Sequence, residues 1–140
     1  MSALSIEVSD TITPEFALPI ESGLNQYNDE AVGFSENKPL AVIVRNEYGV
    51  VLGGMIGRTY LGLLFVDLVY LPSEVRGKGL GSQILKRVED EGRSRGCKTA
   101  VLYTITFQAP LFYEKNGWKR FGEIPCLPEG ASRVFLKKDL

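Results

Sequence analysis

Between Val66 and Gly96 the chain reads VDLVYLP, then SEVRGKGLGS, then QILKRVEDEGRSRG, and no other stretch restricts the possible folds as strongly. An apolar run of strand type feeds a glycine-rich turn, and the turn opens directly into an amphipathic helix. Gly77, Gly79 and Gly81 lack a Cβ, so the backbone can take positive φ there and aim successive N–H groups at one point. A helix beginning near Gly79 or Leu80 adds unsatisfied first-turn amides and the positive end of its dipole. Arg76 and Lys78 place formal charge on either side of Gly77. A glycine-rich cap on a strand is the plain alternative. Three alternating glycines, two cations and a helix start favour a cradle for a phosphate or pyrophosphate.

Two common nucleotide loops do not fit. A Walker loop would end in Gly-Lys-Ser/Thr, which is missing. A dinucleotide fingerprint needs glycine where Ser82 stands, and an acid at the tip of the following strand, where the chain has Thr104 to Thr106. What Arg76-Gly77-Lys78-Gly79-Leu80-Gly81 resembles is the acetyl-CoA signature Gln/Arg-x-x-Gly-x-Gly/Ala of the GNAT superfamily of N-acetyltransferases. A second block, Phe107-Gln108-Ala109-Pro110-Leu111-Phe112-Tyr113-Glu114-Lys115-Asn116-Gly117-Trp118, is similar to that superfamily's Ala-x-x-Phe-Tyr-x-Lys-x-Gly-Phe/Trp segment. The two blocks come in the expected order and separation. The resemblance covers the C-terminal half well and the chain up to about Tyr60 weakly.

Bulk properties set the outer limits. A chain of 140 residues with 44% apolar and 24% charged side chains is ordinary for one globular domain, here residues 1–140. A net charge of −1 gives no whole-molecule field towards nucleic acid or an anionic membrane, so any phosphate site must be local. There is no apolar run of about eighteen residues, and MSALSIEVSD lacks the features of a signal peptide, so the cytoplasm is the expected compartment. Cys97 and Cys126 are expected as free thiols. The absence of histidine rules out a histidine-based triad and a histidine-ligated metal, and no metal is expected.

The remaining elements follow from periodicity and turn chemistry. Leu4-Ser5-Ile6-Glu7-Val8 alternates as a half-buried strand does. Pro19 should stop a helix begun at Thr13-Pro14-Glu15, or start a new one from about Pro19 to Asn28 with Ile20, Leu24 and Tyr27 facing a core. Leu40 to Val44, Val50 to Ile56 and Leu61 to Leu71 form an antiparallel meander, the first two joined by a hairpin turn over Arg45 to Gly49. For Gly53, Gly54, Gly57 and Gly62, relief of twist is preferred over close backbone approach. Leu80, Ile84, Leu85 and Val88 form the apolar stripe of a helix ended by Gly96, with Lys86, Arg87, Glu89 and Asp90 turned elsewhere. Ala100 to Tyr103 with Ile105 forms a strand parallel to Leu64 to Leu71. Gln108 to Asn116 reads as a helix ended by Gly117, and Trp118 to Phe121 and Arg133 to Lys137 as strands. The fold class is α/β of mixed α+β type: a mixed, mostly antiparallel sheet of about six or seven strands with helices on both faces.

The resemblance implies more. In that fold the fourth and fifth strands are a splayed parallel pair, and the pantetheine arm enters between them. Parted strands leave unpaired main-chain groups with which an amide-bearing arm can bond as an added strand would. Val69, Tyr70 and Leu71 are the expected backbone contacts, and Arg76, Gly77, Lys78, Gly79, Leu80, Gly81 and Ser82 the expected pyrophosphate site. Tyr113 becomes the acid that protonates the departing thiolate, with Phe112 beside it; a packed aromatic is the alternative reading. Asp67, nine positions before Arg76, stands where many relatives carry an acid. It is read as the base that frees the amine, or as a salt-bridged acid on a sheet face, ordered water then serving as base. Thr106 replaces an asparagine that commonly bonds pantetheine, and Lys115 can reach the CoA phosphates or cap its helix.

The implied activity is direct transfer of acetyl from acetyl-CoA to a primary amine, on a small molecule or a protein. Tyr27, Asn28 and Glu21 are acceptor-side candidates by position alone. Homodimerisation is implied by analogy. A CoA-binding regulatory or interaction module without catalysis is the alternative.

Overall fold

A computed structural model describes residues 3–34 and 36–140, and the chain divides into two compact units, Met1–Ser35 and Glu36–Leu140. In the first unit, helix α1 spans Pro14–Val32. Pro14 occupies its opening turn, and Gly33 ends it in the left-handed region at φ 84°, its N–H bonding the Asp29 carbonyl. The helix runs through Pro19, contrary to the break expected there. Proline removes one hydrogen bond and crowds the preceding turn, and a helix of 19 residues absorbs that single defect. None of its residues is buried, so Ile20, Leu24 and Tyr27 are not core. The expected strand over Leu4 to Val8 does not form either, and Leu4, Ile6 and Val8 are almost fully exposed. Alternation describes one face of a strand, but a strand also needs an edge to pair with.

The second unit is a six-stranded sheet in the order β1-β2-β3-β4-β6-β5. Its elements are β1 (Lys38–Arg45), β2 (Val51–Tyr60), β3 (Leu63–Tyr70), α2 (Leu80–Ser94), β4 (Thr99–Ile105), α3 (Pro110–Lys115), β5 (Lys119–Pro125) and β6 (Ser132–Asp139). β3 and β4 are parallel, joined by the α2 crossover, and all other neighbours are antiparallel. The β1–β2 turn is held by the Asn46 side-chain oxygen, which accepts from the N–H groups of Tyr48 and Val50. β2 reaches Tyr60 because Leu61 and Gly62 both take positive φ, 50° and 79°, and make a two-residue hairpin turn. The glycines of β2 serve close approach, not relief of twist. A Cβ on Gly53, Gly54 or Gly57 would collide with the carbonyl of Tyr70, Val42 or Phe65.

Leu64, Val66, Ala100, Leu102, Val134 and Leu136 form the inner face of the sheet and share one core with Ile84, Leu85 and Val88 of α2. Burial of each large aliphatic side chain contributes about 1.5–3 kcal/mol. Arg95 fastens the end of α2, donating to the Lys38 and Pro39 carbonyls and to Thr59 Oγ1. This packing fixes where α2 begins, and its first turn is one wall of the candidate site.

Candidate active site

The two parallel strands pair only from Leu63 with Thr99 to Val66 with Leu102. Beyond that point each turns to its other neighbour. Leu68, Val69 and Tyr70 stay registered with Ile56, Met55 and Gly54 of β2, while Tyr103, Thr104 and Ile105 stay with Phe135, Val134 and Arg133 of β6. The inner edges of Asp67 to Tyr70 and of Tyr103 to Ile105 are therefore unpaired between β3 and β4. A register shift starts the opening: Gly57 lies opposite Val66 and Ile56 opposite Leu68, so Asp67 is the extra residue of a β-bulge, which bends the strand that carries it. Asp67 is exposed and, among the described residues, has no ion pair. The reading of Asp67 as a salt-bridged acid on a sheet face is therefore corrected. It stands at the mouth of the opening.

The glycine-rich turn lies at the C-terminal end of β3. A short 3-10 turn over Ser73–Val75 precedes it, and Gly77 and Gly79 follow at φ 77° and 74°. Gly79 caps α2, whose first internal bond runs from Gln83 N–H to the Gly79 carbonyl. Among the described residues, the amides of Gly77, Lys78, Gly79, Leu80, Gly81 and Ser82 make no backbone hydrogen bond. The Arg76 amide differs, because it donates to the Ser73 carbonyl at 3.2 Å. The Arg76 guanidinium is also engaged, its Nε donating to the Leu71 carbonyl at 2.8 Å. That bond clips the turn to the end of β3 and uses the carbonyl of Leu71. Lys78 is exposed beside the free amides.

The third part of the site is α3. Tyr113 is 5% exposed, its ring meeting Phe112 edge-on at 5.2 Å and Trp118 at 6.1 Å. Burial pushes its phenol above the ordinary value of 10, so it holds its proton more firmly than a free tyrosine. Phe112 packs on the first turn of α2: a Cβ on Gly81 would lie 3.2 Å from the Phe112 Cζ. The cradle and the Tyr113 helix are thus in contact. Thr106 ties the end of β4 to β6, its Oγ1 accepting from Ser132 N–H at 3.0 Å and its N–H donating to the Ser132 carbonyl at 2.9 Å. Lys115 is exposed on the last turn of α3, where Glu114 pairs with Arg120. Beside the cradle a cleft of about 400 Å³ extends from Ser82 and Lys86 to Asn116 and Lys138.

One residue was misplaced by its charge. Glu89 is 4% exposed and points into the structure, not away from it. It lies one turn beyond Leu85 on the same face of α2, and the i+4 spacing was the available signal. The Arg76–Leu71 clip had no such signal, because it joins a side chain to a carbonyl. Among the described residues no helix is long and apolar enough to cross a membrane, and no group of three or more Cys, Asp, Glu or His residues is placed to hold a metal ion. Cys97 is buried, Cys126 is partly buried, and both are free.

This geometry agrees with comparisons across known proteins. The profile of the acetyltransferase (GNAT) family matches residues 6–118. An acetyltransferase from Agrobacterium fabrum is 33% identical over 135 residues, covering 96% of this chain and 98% of that protein. The blasticidin-S acetyltransferase of Streptomyces morookaense is 36% identical over 109 residues, 75% of this chain and 80% of its own. A crystal structure of an Agrobacterium tumefaciens protein assigned to the acetyltransferases superposes with a TM-score of 0.90 at 32% identity, over 98% of this chain and 100% of that one. The open parallel pair, the turn of free amides and the sequence relationships converge, and the chain belongs to the acetyltransferase (GNAT) family as an acyltransferase.

Proposed function

We propose that the protein transfers the acetyl group of acetyl-CoA directly to a primary amine on a small molecule. The family uses acetyl-CoA as co-substrate. The observation that carries the proposal is the opening past Val66 and Leu102 beside a turn whose amides, Gly77 to Ser82, are free. The pyrophosphate lies on those amides, with Lys78 and the clipped Arg76 adding charge. The pantetheine amides bond the free inner edge of Val69 and Tyr70 and the Leu71 N–H, as an added strand does. Phe112 packs beside the arm, and Thr106 and Lys115 border its two ends.

Asp67 or an ordered water takes a proton from the ammonium, because only the neutral amine has a lone pair for attack. The amine nitrogen bonds the thioester carbonyl carbon, the C–S bond breaks, the leaving sulfur takes the Tyr113 hydroxyl proton, and the proton that the nitrogen sheds on becoming an amide restores the phenol. A phenol held above its ordinary pKa remains protonated at neutral pH and available for this step. The Streptomyces morookaense relative is named for a small molecule, which supports that class of acceptor over a protein amine. The proposal takes residues 1–140 as one acetyltransferase domain, acting in the cytoplasm as a homodimer.

Calorimetric titration with acetyl-CoA is the first test, with saturable binding expected and no binding at about 1 mM overturning the proposal. A pooled amine panel containing blasticidin S, read by acetyl mass gain and thiol release, then identifies the acceptor. Binding without thiol release from any amine would leave a CoA-binding module without catalysis.

A further inference from the structure

The acetyl-transfer reading gives no task to the most buried charge in the second unit. Glu89 lies on the inner side of α2 next to Val88, and a carboxylate withdrawn from water is costly unless it is fully partnered. Its partners come from three places. Lys138 Nζ on β6 donates to Oε1 at 2.7 Å, Trp118 Nε1 donates to Oε2 at 3.3 Å, and the Arg93 guanidinium lies 3.8 Å from Oε1. Two of these lead to the same helix. The Trp118 ring meets the Tyr113 ring edge-on at 6.1 Å, with their planes at 69°. Lys138 Nζ also donates at 2.9 Å to the carbonyl of Asn116, the C-cap of α3, and Asn116 Nδ2 donates at 2.8 Å to the Phe112 carbonyl. One carboxylate on the cradle's helix therefore holds α3 twice, by the indole against the Tyr113 ring and by the ammonium at the helix end.

An apolar contact would close the same space more cheaply, but it would leave the indole free to slide. Hydrogen bonds to the two oxygens of one carboxylate fix direction as well as distance. We propose that Glu89 is a positioning residue that sets the Tyr113 ring relative to the α2 cradle through Trp118 and through Lys138 and Asn116. The inference rests on Tyr113 as the acid of the proposed reaction. Glu89 touches no reacting atom; it acts by keeping the phenol from drifting, and misplacement of a reacting group by about 1 Å lowers turnover up to about 100-fold.

Trp118 is the only tryptophan of the chain, so its emission reports this cluster directly. Glu89→Leu, Glu89→Gln and Trp118→Phe are compared with Tyr113→Phe, using acetyl-CoA with the pooled amines. Glu89→Leu is expected to shift Trp118 emission and to lower kcat about tenfold or more, with the KM for acetyl-CoA nearly unchanged. Glu89→Gln, which keeps an acceptor for the indole, should restore part of both. A folded Glu89→Leu with shifted emission and unchanged kcat overturns the proposal, as does an equal loss in kcat and acetyl-CoA binding. If Glu89→Leu does not fold, Trp118→Phe decides: an unchanged kcat there overturns the proposal, and a loss without loss of acetyl-CoA binding supports it. The two readings fail separately. An unchanged kcat in Tyr113→Phe removes the acid, whereas unchanged kcat in the Glu89 and Trp118 variants alone removes only the positioning.

Discussion

A methyl group placed on Gly81 would stand 3.2 Å from the Cζ of Phe112. The first turn of α2, which carries free amides, is therefore in contact with the residue adjoining Tyr113. In Gly81→Ala the phenyl ring must give by a few tenths of an ångström. The substitution also gains about 1 kcal/mol of helix propensity, against an overpacking cost of about 1 kcal/mol. Thermal unfolding is expected to change little, while turnover with acetyl-CoA falls. Turnover equal to the parent protein's would show that the spacing between the two helices is not critical.

Tyr113→Phe keeps the ring and its contacts with Phe112 and Trp118 and removes only the hydroxyl. Loss of a general acid lowers kcat about 100-fold or more. Affinity for acetyl-CoA, measured by calorimetry, should stay near that of the parent. A kcat that does not move assigns Tyr113 to packing alone.

The same hydroxyl has a signature in stability against pH. Burial raises its pKa in the folded chain, so above about pH 10 the unfolded chain loses this proton first. The folded form then holds more protons, and stability contributed by this group is present below pH 10 and declines as pH rises through the folded value. Urea midpoints compared at about pH 9 and about pH 10.5 should fall more steeply for the parent than for Tyr113→Phe. Parallel curves would contradict the burial of the phenol.

Gly77→Ala and Gly79→Ala isolate backbone conformation, because a Cβ at either position meets nothing within 4 Å. Their φ values of 77° and 74° cost a side-chain-bearing residue about 1–2 kcal/mol. If the turn relaxes to avoid that cost, its amides no longer converge. Acetyl-CoA binding should weaken about tenfold or more at each site, with a smaller effect on thermal unfolding. Intact binding in both variants would remove the cradle from the mechanism.

The parts of the molecule that could be read from the chain are those with local causes. Positive φ is written into Gly77 and Gly79, and the stripe of Ile84, Leu85 and Val88 declares the face that α2 buries. Relations between distant segments left weaker marks. The bulge at Asp67 is one extra residue in a ladder with β2, and neither strand alone shows which residue is extra. Leu4, Ile6 and Val8 alternate convincingly yet form no strand, and α1 tolerates Pro19 because a long helix absorbs one missing bond. Glu89 was placed outward by its charge, although its position one turn after Leu85 already put it inside.

The short ladder between Leu63–Val66 and Thr99–Leu102 has a mechanical consequence. It makes the sheet an open book: β1, β2 and β3 form one leaf, β4, β6 and β5 the other, and four residue pairs form the spine. Leu64 and Ala100, which have no exposed surface, stiffen that spine from the inside. How far the leaves part is governed by those few residues.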